Sequence, residues 1–223
     1  MGQSITNTVF TALSTDVVVF TIQDDRLLVL LVRRRRRPYA GSWALPGGLV
    51  PEDEGLDECA RRMLGEKAGV RGVYLEQLYS FGAPQRDPRG RVVSVAYYAL
   101  VPPNRVQLEA MAEDAEREWV PVDNLPELAF DHFAVVSMAH QRLAAKLAYS
   151  TIALQFMPEK FTLSELQSVY EIILGESLDK RNFRKRVLAL PCIEDTGECF
   201  RAGKHRPAKL YRVNTPGRVE IIK

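Results

Sequence analysis

The sequence predicts an α+β chain built from two parts: a domain of mixed strands and helices, residues 1–150, and a domain of two short helices and a β-hairpin, residues 151–223. Hydrophobic residues recur at strand and helix periods in the first part and at helix periods in the second. Charge divides the chain in the same way. Residues 151–223 carry 13 Lys and Arg against 9 Asp and Glu, whereas the net charge of the whole chain is only +2. The second part is therefore expected to bind a polyanion.

The composition is that of a globular chain. Of the 223 residues, 46% are hydrophobic and 26% are charged, which argues against disorder and against a disulfide-rich miniprotein. The apolar runs are too short to cross a bilayer, and residues 1–10 lack the basic and apolar segments of a secretory signal. Three cysteines cannot all pair, so we expect reduced thiols, a cytoplasmic location and no contact with a membrane.

The first part begins with a β-hairpin and contains one amphipathic helix. Residues 17–22 and 27–32 are β-rich and flank a polar turn. A Pro-Gly-Gly sequence at residues 46–48 predicts a break in regular structure. Apolar residues recur every fourth position over residues 56–68, which predicts a helix that Gly69 ends. Two further strands are predicted at residues 74–81 and 92–101, with a tight turn at residues 87–90 between them.

The second part follows a helical link predicted over residues 129–156. Thr162 and Glu165 have the spacing of a capping box, so a helix begins there, and Gly175 ends it. Asp179 caps a second helix, whose apolar face is surrounded by polar and basic residues. A β-like pair with a basic loop comes last. The order helix, turn, helix and hairpin is that of a winged helix-turn-helix.

The second of these helices is the natural reader of a DNA major groove. Arginine suits guanine, asparagine suits adenine, and lysine mostly holds phosphates. The basic loop is expected to contact the DNA backbone or minor groove as a wing. A helical tail with a solvated basic face is the alternative. The predicted DNA-binding residues are Thr162, Ser164, Lys180, Arg181, Asn182, Arg184, Lys185, Lys204, His205 and Arg206.

One motif in the first part carries chemistry. Residues 43–48 read Trp-Ala-Leu-Pro-Gly-Gly, and Gly48 is followed at fixed intervals by Glu54 and Arg62. This pattern resembles the Nudix box of hydrolases that act on nucleoside diphosphates linked to another group. The resemblance implies a Nudix-like α/β/α sandwich with a mixed sheet for residues 1–150. On its own, the same stretch also fits an amphipathic helix after a glycine turn.

The box lacks two of the three carboxylates that the Nudix pattern expects. Met63 and Lys67 stand at two of these positions, and Glu66 remains at the third. The positions share one helix face, where carboxylates would hold Mg²⁺, and an ammonium beside one carboxylate is a poor site for a dication. We therefore expect no metal, no catalytic residue and no hydrolysis, with Lys67 neutralising a pyrophosphate directly. Arg62 is expected to pair with Glu58, four residues earlier.

A second segment, residues 78–98, resembles ADP-ribose pyrophosphatase relatives within the Nudix superfamily. Its arginines flank a tight turn and suit bidentate contacts with phosphate or ribose, although its composition also fits a solvated hairpin loop. Five arginines at residues 33–37 fit a solvated loop as well; the resemblance places Arg34 near the ligand, and phosphate or DNA contacts by the others are the alternative. The predicted ligand-binding residues are Arg34, Trp43, Gly47, Gly48, Glu66, Lys67, Phe81, Arg86, Asp87 and Arg91.

Other candidate sites have weak signals. Cys192, Cys199 and His205 lack the close spacing of a structural zinc site. His132 precedes a predicted helix, where it is expected to cap or to pack. The sequence has no Ser-His-Asp arrangement, Walker loop or dinucleotide glycine fingerprint.

From about residue 15 to residue 213, the chain resembles the Nudix-related transcriptional regulators of NAD metabolism, the NrtR group. This resemblance implies a homodimeric repressor of NAD biosynthesis or salvage genes that binds a palindromic operator in double-stranded DNA. It also implies that ADP-ribose binds the Nudix-like domain as an effector, without a required cofactor, and releases the DNA. The segments that carry it are Asp131-His132, Leu147-Ala148-Tyr149, Phe161-Thr162-Leu163-Ser164-Glu165-Leu166-Gln167, Leu178-Asp179-Lys180-Arg181-Asn182-Phe183 and Arg206-Pro207-Ala208.

Two other functions fit the sequence. The chain could be an active ADP-ribose pyrophosphatase with an accessory basic domain, which metal-dependent turnover would reveal. It could also be a repressor that responds to another nucleotide or to a phosphorylated sugar. In the repressor hypothesis, the linking helix at residues 134–150 is expected to carry a change in spacing between the two reading helices of a dimer.

Overall fold

The computed structural model describes residues 11–105, 116–201 and 207–222. Its N-terminal domain is built on a mixed sheet, whose main path runs β3-β2-β1-β6-β5, with β4 paired to β1 and β7 to β2. The strands β1 and β6 are parallel, and the other pairs are antiparallel, which confirms the predicted mixed sheet. The strands are β1 (Ala12–Gln23), β2 (Arg26–Arg33), β3 (Trp43–Ala44), β4 (Gly47–Leu49), β5 (Tyr74–Phe81), β6 (Val92–Leu100) and β7 (Arg117–Pro121).

The predicted hairpin is confirmed, and the break predicted at residues 46–48 falls at residues 45 and 46, between β3 and β4. The strands β1 and β2 meet at the pair Gln23 and Arg26, across a turn in which Asp24 and Asp25 have φ of 49° and 55°. Aspartate tolerates this left-handed region better than most residues. Gly47 does not end regular structure, because it begins β4 and pairs with β1. A glycine is needed there for close approach rather than for a turn.

Two helices cover the sheet and complete an α/β/α sandwich. The first, α1 (Leu56–Met63), continues as a single π-helical stretch (Leu64–Ala68) that ends at Gly69 in the left-handed region. The second, α2 (His132–Leu147), lies on the opposite face. Successive β1 side chains alternate between the two layers, since Val17 and Val19 join the core with α1 whereas Val18 and Phe20 join the core with α2.

The C-terminal domain has the predicted winged helix order. A short 3₁₀ turn (Ile152–Phe156) leads to α3 (Leu163–Leu174), and Thr162 and Glu165 form both hydrogen bonds of the capping box. Gly175 ends α3 with φ of 71°. The Asp179 carboxylate accepts the amide hydrogen of Asn182 at 2.8 Å and so caps the next helix. The remaining elements are α4 (Lys180–Leu188), β8 (Ile193–Phe200) and β9 (Ala208–Val213).

The two domains share one hydrophobic core. Buried residues of the sheet and of α2 are continuous with those of the 3₁₀ turn, α3 and α4. The His140 side chain of α2 lies 2.9 Å from the Ile173 carbonyl of α3, and the amide of Ile222 donates to the Tyr149 carbonyl at 2.7 Å. In the part of the chain that the structure describes, no helix is long and apolar enough to cross a membrane.

Thr162→Ala is expected to lower the free energy of unfolding by about 1 kcal/mol, because the Glu165 amide loses its acceptor. Urea denaturation of the purified protein measures this change. Ser164→Ala is the matched control, since Ser164 is exposed on the same helical turn, and it should leave the midpoint nearly unchanged. Equal losses in both variants would contradict the capping role.

Candidate functional site

A cavity of about 660 Å³ opens beside β1, β2 and β4, near the turn that follows β5 and the start of α2. Its size is ordinary for a small-molecule site. Eight cationic side chains and four carboxylates line it, so its wall is strongly basic. Seven of the predicted ligand-binding residues lie in this wall: Arg34, Gly47, Gly48, Glu66, Lys67, Arg86 and Asp87.

The other three predicted ligand-binding residues are not in the described wall of the cavity. Trp43 is partly buried against the core, with the Arg33 guanidinium 5.4 Å from its ring centroid. Phe81 also packs against the core. The Arg91 guanidinium donates to the Gly82 carbonyl at 2.6 Å, which braces the β5–β6 turn. Their side chains are engaged by the protein, and their role as ligand contacts stays a prediction.

The floor of the cavity is formed by a close approach of two strands. A Cβ atom on Gly47 would lie 2.2 Å from Asp16 Oδ1 and 2.5 Å from the Thr15 carbonyl oxygen. No side chain fits at that distance, so the sequence needs glycine here. The Lys67 ammonium donates to the Gly47 carbonyl, and this contact holds the lysine side chain beside the first residue of β4.

Sequence analysis missed Asp16, the buried acid at the centre of the site. Its Oδ2 accepts hydrogen bonds from the Ser94 hydroxyl at 2.5 Å and from the Arg86 guanidinium at 3.3 Å. Burial by itself raises the pKa of Asp16, but its contacts with His132, Ser94 and Arg86 outweigh burial and hold the pKa well below its usual range. Asp16 is therefore ionised in the folded protein.

His132 occupies the first position of α2 and is buried, as the packing alternative predicted. Its Nδ1 accepts the amide hydrogen of Leu45 at 2.9 Å. A neutral ring then carries its proton on Nε2, which faces Asp16 Oδ1 at 3.5 Å. The histidine thus connects β1 to the start of α2.

Arg86 lies in the cavity wall, but its guanidinium is already satisfied by carboxylates. It donates to both oxygens of Asp131, at 2.9 and 2.7 Å, and its side chain is only 3% exposed. The bidentate geometry expected for a phosphate is thus used on Asp131, the residue that precedes α2. Asp87 is engaged in the same way by Arg89, with contacts of 2.9 and 2.6 Å. Both residues shape the wall rather than present free charge.

One ion pair of the Nudix-like helix differs from the sequence prediction. Arg62 does not pair with Glu58, whose carboxylate accepts the amide of Gly55 instead. The Arg62 guanidinium forms a bidentate ion pair with Glu54, at 2.8 and 2.5 Å, and also contacts Glu66 at 3.3 Å. Side-chain bonds to Glu54 raise the pKa of Arg62 above its ordinary value. Glu54, which precedes the helix, is the main partner of Arg62, because both of its carboxylate oxygens accept hydrogen bonds from the guanidinium.

The residues of the box do not fit a divalent cation. Met63 is buried, and its Sδ lies 2.9 Å from where a Cβ of Gly48 would be. The Lys67 ammonium points to the Gly47 carbonyl, and the remaining carboxylate, Glu66, faces Arg62. Burial lowers the pKa of Lys67, and the charge of Arg34 acts in the same direction against the attraction of Asp16. A desolvated ammonium in this position favours an anion.

All five arginines at residues 33–37 line the cavity, and all except Arg34 are also exposed to solvent, so the expected solvated loop is at the same time part of the cavity wall. Arg34 is held by a bond of 2.9 Å to the Pro38 carbonyl, and its guanidinium lies 4.6 Å from the Phe130 ring centroid. Desolvation lowers the pKa of Arg34, and the charge of Arg89 lowers it further. The arginine run is therefore part of the site, and the loop at Phe130 is a second wall that the sequence did not reveal.

The predicted reading helix presents a basic surface. Lys180, Arg181, Asn182, Arg184 and Lys185 are all exposed on α4, as is Ser164 on α3. Thr162 is buried and its hydroxyl accepts the Glu165 amide hydrogen, so its predicted capping role is confirmed, whereas its contact with DNA stays a prediction. The wing residues predicted to touch DNA lie outside the described residues: Lys204, His205 and Arg206.

One basic residue of α4 contacts the rest of the protein although it is exposed overall. The Arg186 guanidinium donates to the Leu147 carbonyl, in the last turn of α2, at 2.9 Å. It also lies 5.3 Å from the ring centroid of Tyr170 on α3. A cation at the carboxyl end of a helix is favourably placed, so α4 is anchored to α2 through this side chain.

Comparison with known proteins finds a matching family for each of the two domains. A model of the NUDIX domain matches residues 12–139, and a model of the NrtR DNA-binding winged helix domain matches residues 153–213. The chain is also 41% identical over 204 residues to the ADPR responsive transcriptional repressor NtrR of Acinetobacter baylyi, covering 90% of this chain and 81% of that protein. The chain belongs to the NrtR group of Nudix-related transcriptional regulators.

Solved structures of Shewanella oneidensis NrtR resemble this NrtR family member in fold and domain order. The protein complexed with a 27mer DNA matches with a TM-score of 0.81 and 39% identity, covering 91% of this chain and 93% of that one. The NUDIX domain of the same protein, complexed with ADP ribose, matches with a TM-score of 0.52 and 34% identity, covering 63% of this chain and 94% of that one. The predicted fold class, an α/β/α sandwich followed by a winged helix, is confirmed.

Asp16→Asn is expected to lower the free energy of unfolding by about 3 kcal/mol at neutral pH, because Arg86 loses a buried counter-charge. The folded-state pKa of Asp16 lies below the ordinary value of 3.8. Its ionised form therefore stabilises the protein above that value, and the contribution is lost as the pH falls towards the folded-state pKa.

Urea denaturation at pH 7 and at several values below pH 4 measures this difference, which should shrink in acid. Asp123→Asn is the control, because Asp123 forms an exposed ion pair with Arg26; it should change stability little at any pH. A difference between wild type and Asp16→Asn that does not depend on pH would contradict the assignment.

Proposed function

We propose that this NrtR family member is a repressor of NAD biosynthesis or salvage genes. In this proposal it binds a palindromic operator as a homodimer in the cytoplasm, and ADP-ribose in the cavity releases it. The supporting observation is that one continuous core joins a basic cavity, without a fit for a divalent cation, to an exposed basic helix of a winged helix domain. The boundary between the two domains is proposed at residues 150 and 151, just after α2.

The proposed ligand is held through charge rather than through metal. Lys67 and Arg34 lie in the wall of the cavity without a carboxylate partner in ion-pair distance among residues 11–105, 116–201 and 207–222. A diphosphate beside them would gain charge-assisted hydrogen bonds of the kind that arginine and lysine form with phosphate oxygens. Gly47 and Gly48 leave room for the ligand to approach the backbone of β4. Binding would also restore the pKa of Lys67 towards its ordinary value.

The proposed route from ligand to DNA is α2. Its first turn meets the cavity, since Arg86 binds Asp131 and His132 faces Asp16. Its last turn meets the recognition helix, since Arg186 binds the Leu147 carbonyl. A ligand that displaces the first turn therefore moves the anchor of α4. In a dimer, such a movement changes the spacing between the two reading helices, which must match half-sites one DNA turn apart.

The competing function is an active ADP-ribose pyrophosphatase with an accessory basic domain. Part of the Nudix box supports this function, because Glu54, Arg62 and Glu66 stand at the positions of the family pattern. Against it, hydrolysis by this fold would need a divalent cation, and the Lys67 ammonium at the Gly47 carbonyl repels one. Repression with ligand sensing is therefore the better-supported function.

Titration of a preformed protein–operator complex with ADP-ribose tests the proposal. Wild-type protein should release the DNA, and Lys67→Gln should need at least about tenfold more ligand because it loses a charge-assisted contact. Arg61→Gln is the matched control, since Arg61 is an exposed residue of α1 outside the cavity wall; it should behave as wild type. Fluorescence anisotropy of a labelled operator measures the release.

Two results would contradict the proposal, one from that titration and one from an activity assay with Mg²⁺. If millimolar ADP-ribose leaves the wild-type complex intact, ADP-ribose is not the effector. If AMP accumulates in the presence of Mg²⁺ at an ordinary enzymatic rate, on the order of one turnover per second or more, the chain is an active hydrolase.

Arg181→Ala is expected to weaken operator binding by about 1–3 kcal/mol and to relax preference at one base pair, because Arg181 lies in the first turn of α4 and is exposed. Lys185→Ala should instead weaken all sequences alike and reduce the salt slope by roughly one unit. Binding measured on operator and scrambled duplexes at several salt concentrations separates the two roles. Intact operator preference in Arg181→Ala would show that α4 does not read the bases there.

A further inference from the structure

The chain passes from α2 into the C-terminal domain through residues 148–151, which we call the hinge. Side chains packed in the shared core also hold the two domains together, but packed helices can slide past one another by small shear movements. Hydrogen bonds between backbone groups are directional, so they fix the register of the segments that they join. Bonds of this kind at the hinge would therefore determine how the domains are oriented.

The last described residues of the chain supply such bonds. Residues 218–222, which we call the strap, run antiparallel to the hinge. The Thr151 amide donates to the Glu220 carbonyl at 3.0 Å, and the Glu220 amide donates to the Thr151 hydroxyl at 2.8 Å. The Ile222 amide donates to the Tyr149 carbonyl at 2.7 Å. Thr151 is 2% exposed, so its backbone groups depend on the strap for their partners.

Apolar side chains seat the strap on the protein. Val219 and Ile222 are partly buried and pack against the core that the two domains share. Ile221, which lies between them, is 78% exposed. The strap is therefore held by side-chain packing as well as by its backbone, and one of its apolar residues takes no part in that packing.

One end of the strap is continuous with the DNA-binding part of the chain. The strand β9 leads into it through residues 214–217. Tyr211 of β9 exchanges two backbone hydrogen bonds, at 2.8 and 2.9 Å, with Phe161, which precedes the cap of α3. The Asn214 amide donates to the Cys192 carbonyl, just before β8, at 3.0 Å. The strap thus connects the hinge to the wing hairpin and to the start of α3.

The hinge itself is attached to the N-terminal domain. The amide and the hydroxyl of Ser150 both donate to the Lys146 carbonyl, at 2.9 and 2.7 Å, so they extend the end of α2. The Lys146 ammonium forms an ion pair of 2.5 Å with Glu76 of β5. A segment fastened to the sheet on one side is thus bonded to a segment fastened to the winged helix on the other.

From these contacts we propose that the strap is a conformational device that locks the hinge and fixes the orientation of the winged helix domain relative to the Nudix domain. A change in one domain is then passed to the other instead of being absorbed by the residues that join them. The locked hinge goes beyond the proposed function, and its benefit for operator binding rests on that function.

Hydrogen exchange measured by NMR on the full-length protein tests whether the strap locks the hinge. Val219→Ser/Ile222→Ser removes the apolar anchors and leaves the hinge residues unchanged. The Thr151 amide should then exchange at least about tenfold faster, whereas amides of β6 should keep their wild-type rates. Ile221→Ser is the matched control, since it removes an exposed apolar side chain from the same strap, and it should behave as wild type.

A second variant leaves the strap sequence intact. Thr151→Val removes the hydroxyl that accepts the Glu220 amide hydrogen and keeps a side chain of similar shape. The Glu220 amide should exchange faster in this variant, again without a change in β6. Agreement between the two variants separates loss of the strap from a general loss of stability.

Urea denaturation shows whether the two domains still unfold together. Both tryptophans, Trp43 and Trp119, lie in the N-terminal domain, so their fluorescence reports that domain, whereas circular dichroism also reports α3 and α4. The two transitions should coincide in wild type and in Ile221→Ser. In Val219→Ser/Ile222→Ser, the transition measured by circular dichroism should begin at a lower urea concentration than the fluorescence transition.

Operator binding tests the benefit of the locked hinge. Val219→Ser/Ile222→Ser should bind the operator about three- to tenfold more weakly than wild type, because binding must also order the two domains. ADP-ribose should change operator affinity by a smaller factor in this variant, because less of its effect reaches the winged helix domain. Ile221→Ser should match wild type in both measurements.

Two results would overturn the inference without touching the proposed function. The first is a wild-type rate at the Thr151 amide in Val219→Ser/Ile222→Ser, or a rise of the same size in β6. The second is faster exchange at the hinge with unchanged operator affinity and an unchanged response to ADP-ribose, since the strap would then stabilise only its own surroundings. If wild type binds no operator, the proposed function fails, and exchange and denaturation still decide whether the strap locks the hinge.

Discussion

The buried ion network of Asp16, Arg86 and Asp131 is the constraint on which the site depends. It joins β1, the turn after β5 and the residue before α2, and the Arg86 side chain at its centre is 3% exposed. Removing one member would leave the remaining buried charges with fewer partners, which costs about 3 kcal/mol or more. The same network determines the neighbouring sequence, because Asp16 Oδ1 lies where a side chain at Gly47 would begin. The cavity floor is thus fixed before any ligand is present.

On this floor, the Nudix-like helix places an ammonium where the family pattern has a carboxylate. The exchange changes what the cavity attracts, since Lys67 is desolvated and lies in the field of Arg34. Burial removes both cations from water, and it lowers the pKa of both for that reason. An anion removes this penalty when it binds, whereas a metal ion would increase it. The residues present therefore suit an anion better than a divalent cation, as the proposed function requires.

Local sequence signals predicted the helices and strands, whereas the geometry of the site depends on contacts between residues that are distant in sequence. Capping boxes, left-handed glycines and the hairpin turn act over a few residues, so the sequence revealed α3, the end of α1 and the pairing of β1 with β2. Asp16 escaped notice because its partners Arg86 and Ser94 are 70 and 78 residues away. Arg62 was assigned to Glu58 by the helical i,i+4 rule, but tertiary packing brings Glu54 closer. Thr162 was assigned two roles from the sequence, and the structure shows the one that depends on local contacts, its bond to the Glu165 amide.

If ligand binding releases DNA through α2, thermodynamic linkage determines how large the difference in ligand affinity between two arrangements of the protein must be. A ligand shifts the protein between two arrangements only by the difference in its affinity for them, and a shift from 1:99 to 99:1 requires about a 10⁴-fold difference. In the proposed dimer, two cavities would share that requirement. The contact of Arg186 with α2 goes to the Leu147 backbone carbonyl and not to a side chain. A backbone carbonyl is present whatever the residue at position 147. The proposed coupling between cavity and α4 therefore depends on the position of the end of α2 and not on the side chain at that position.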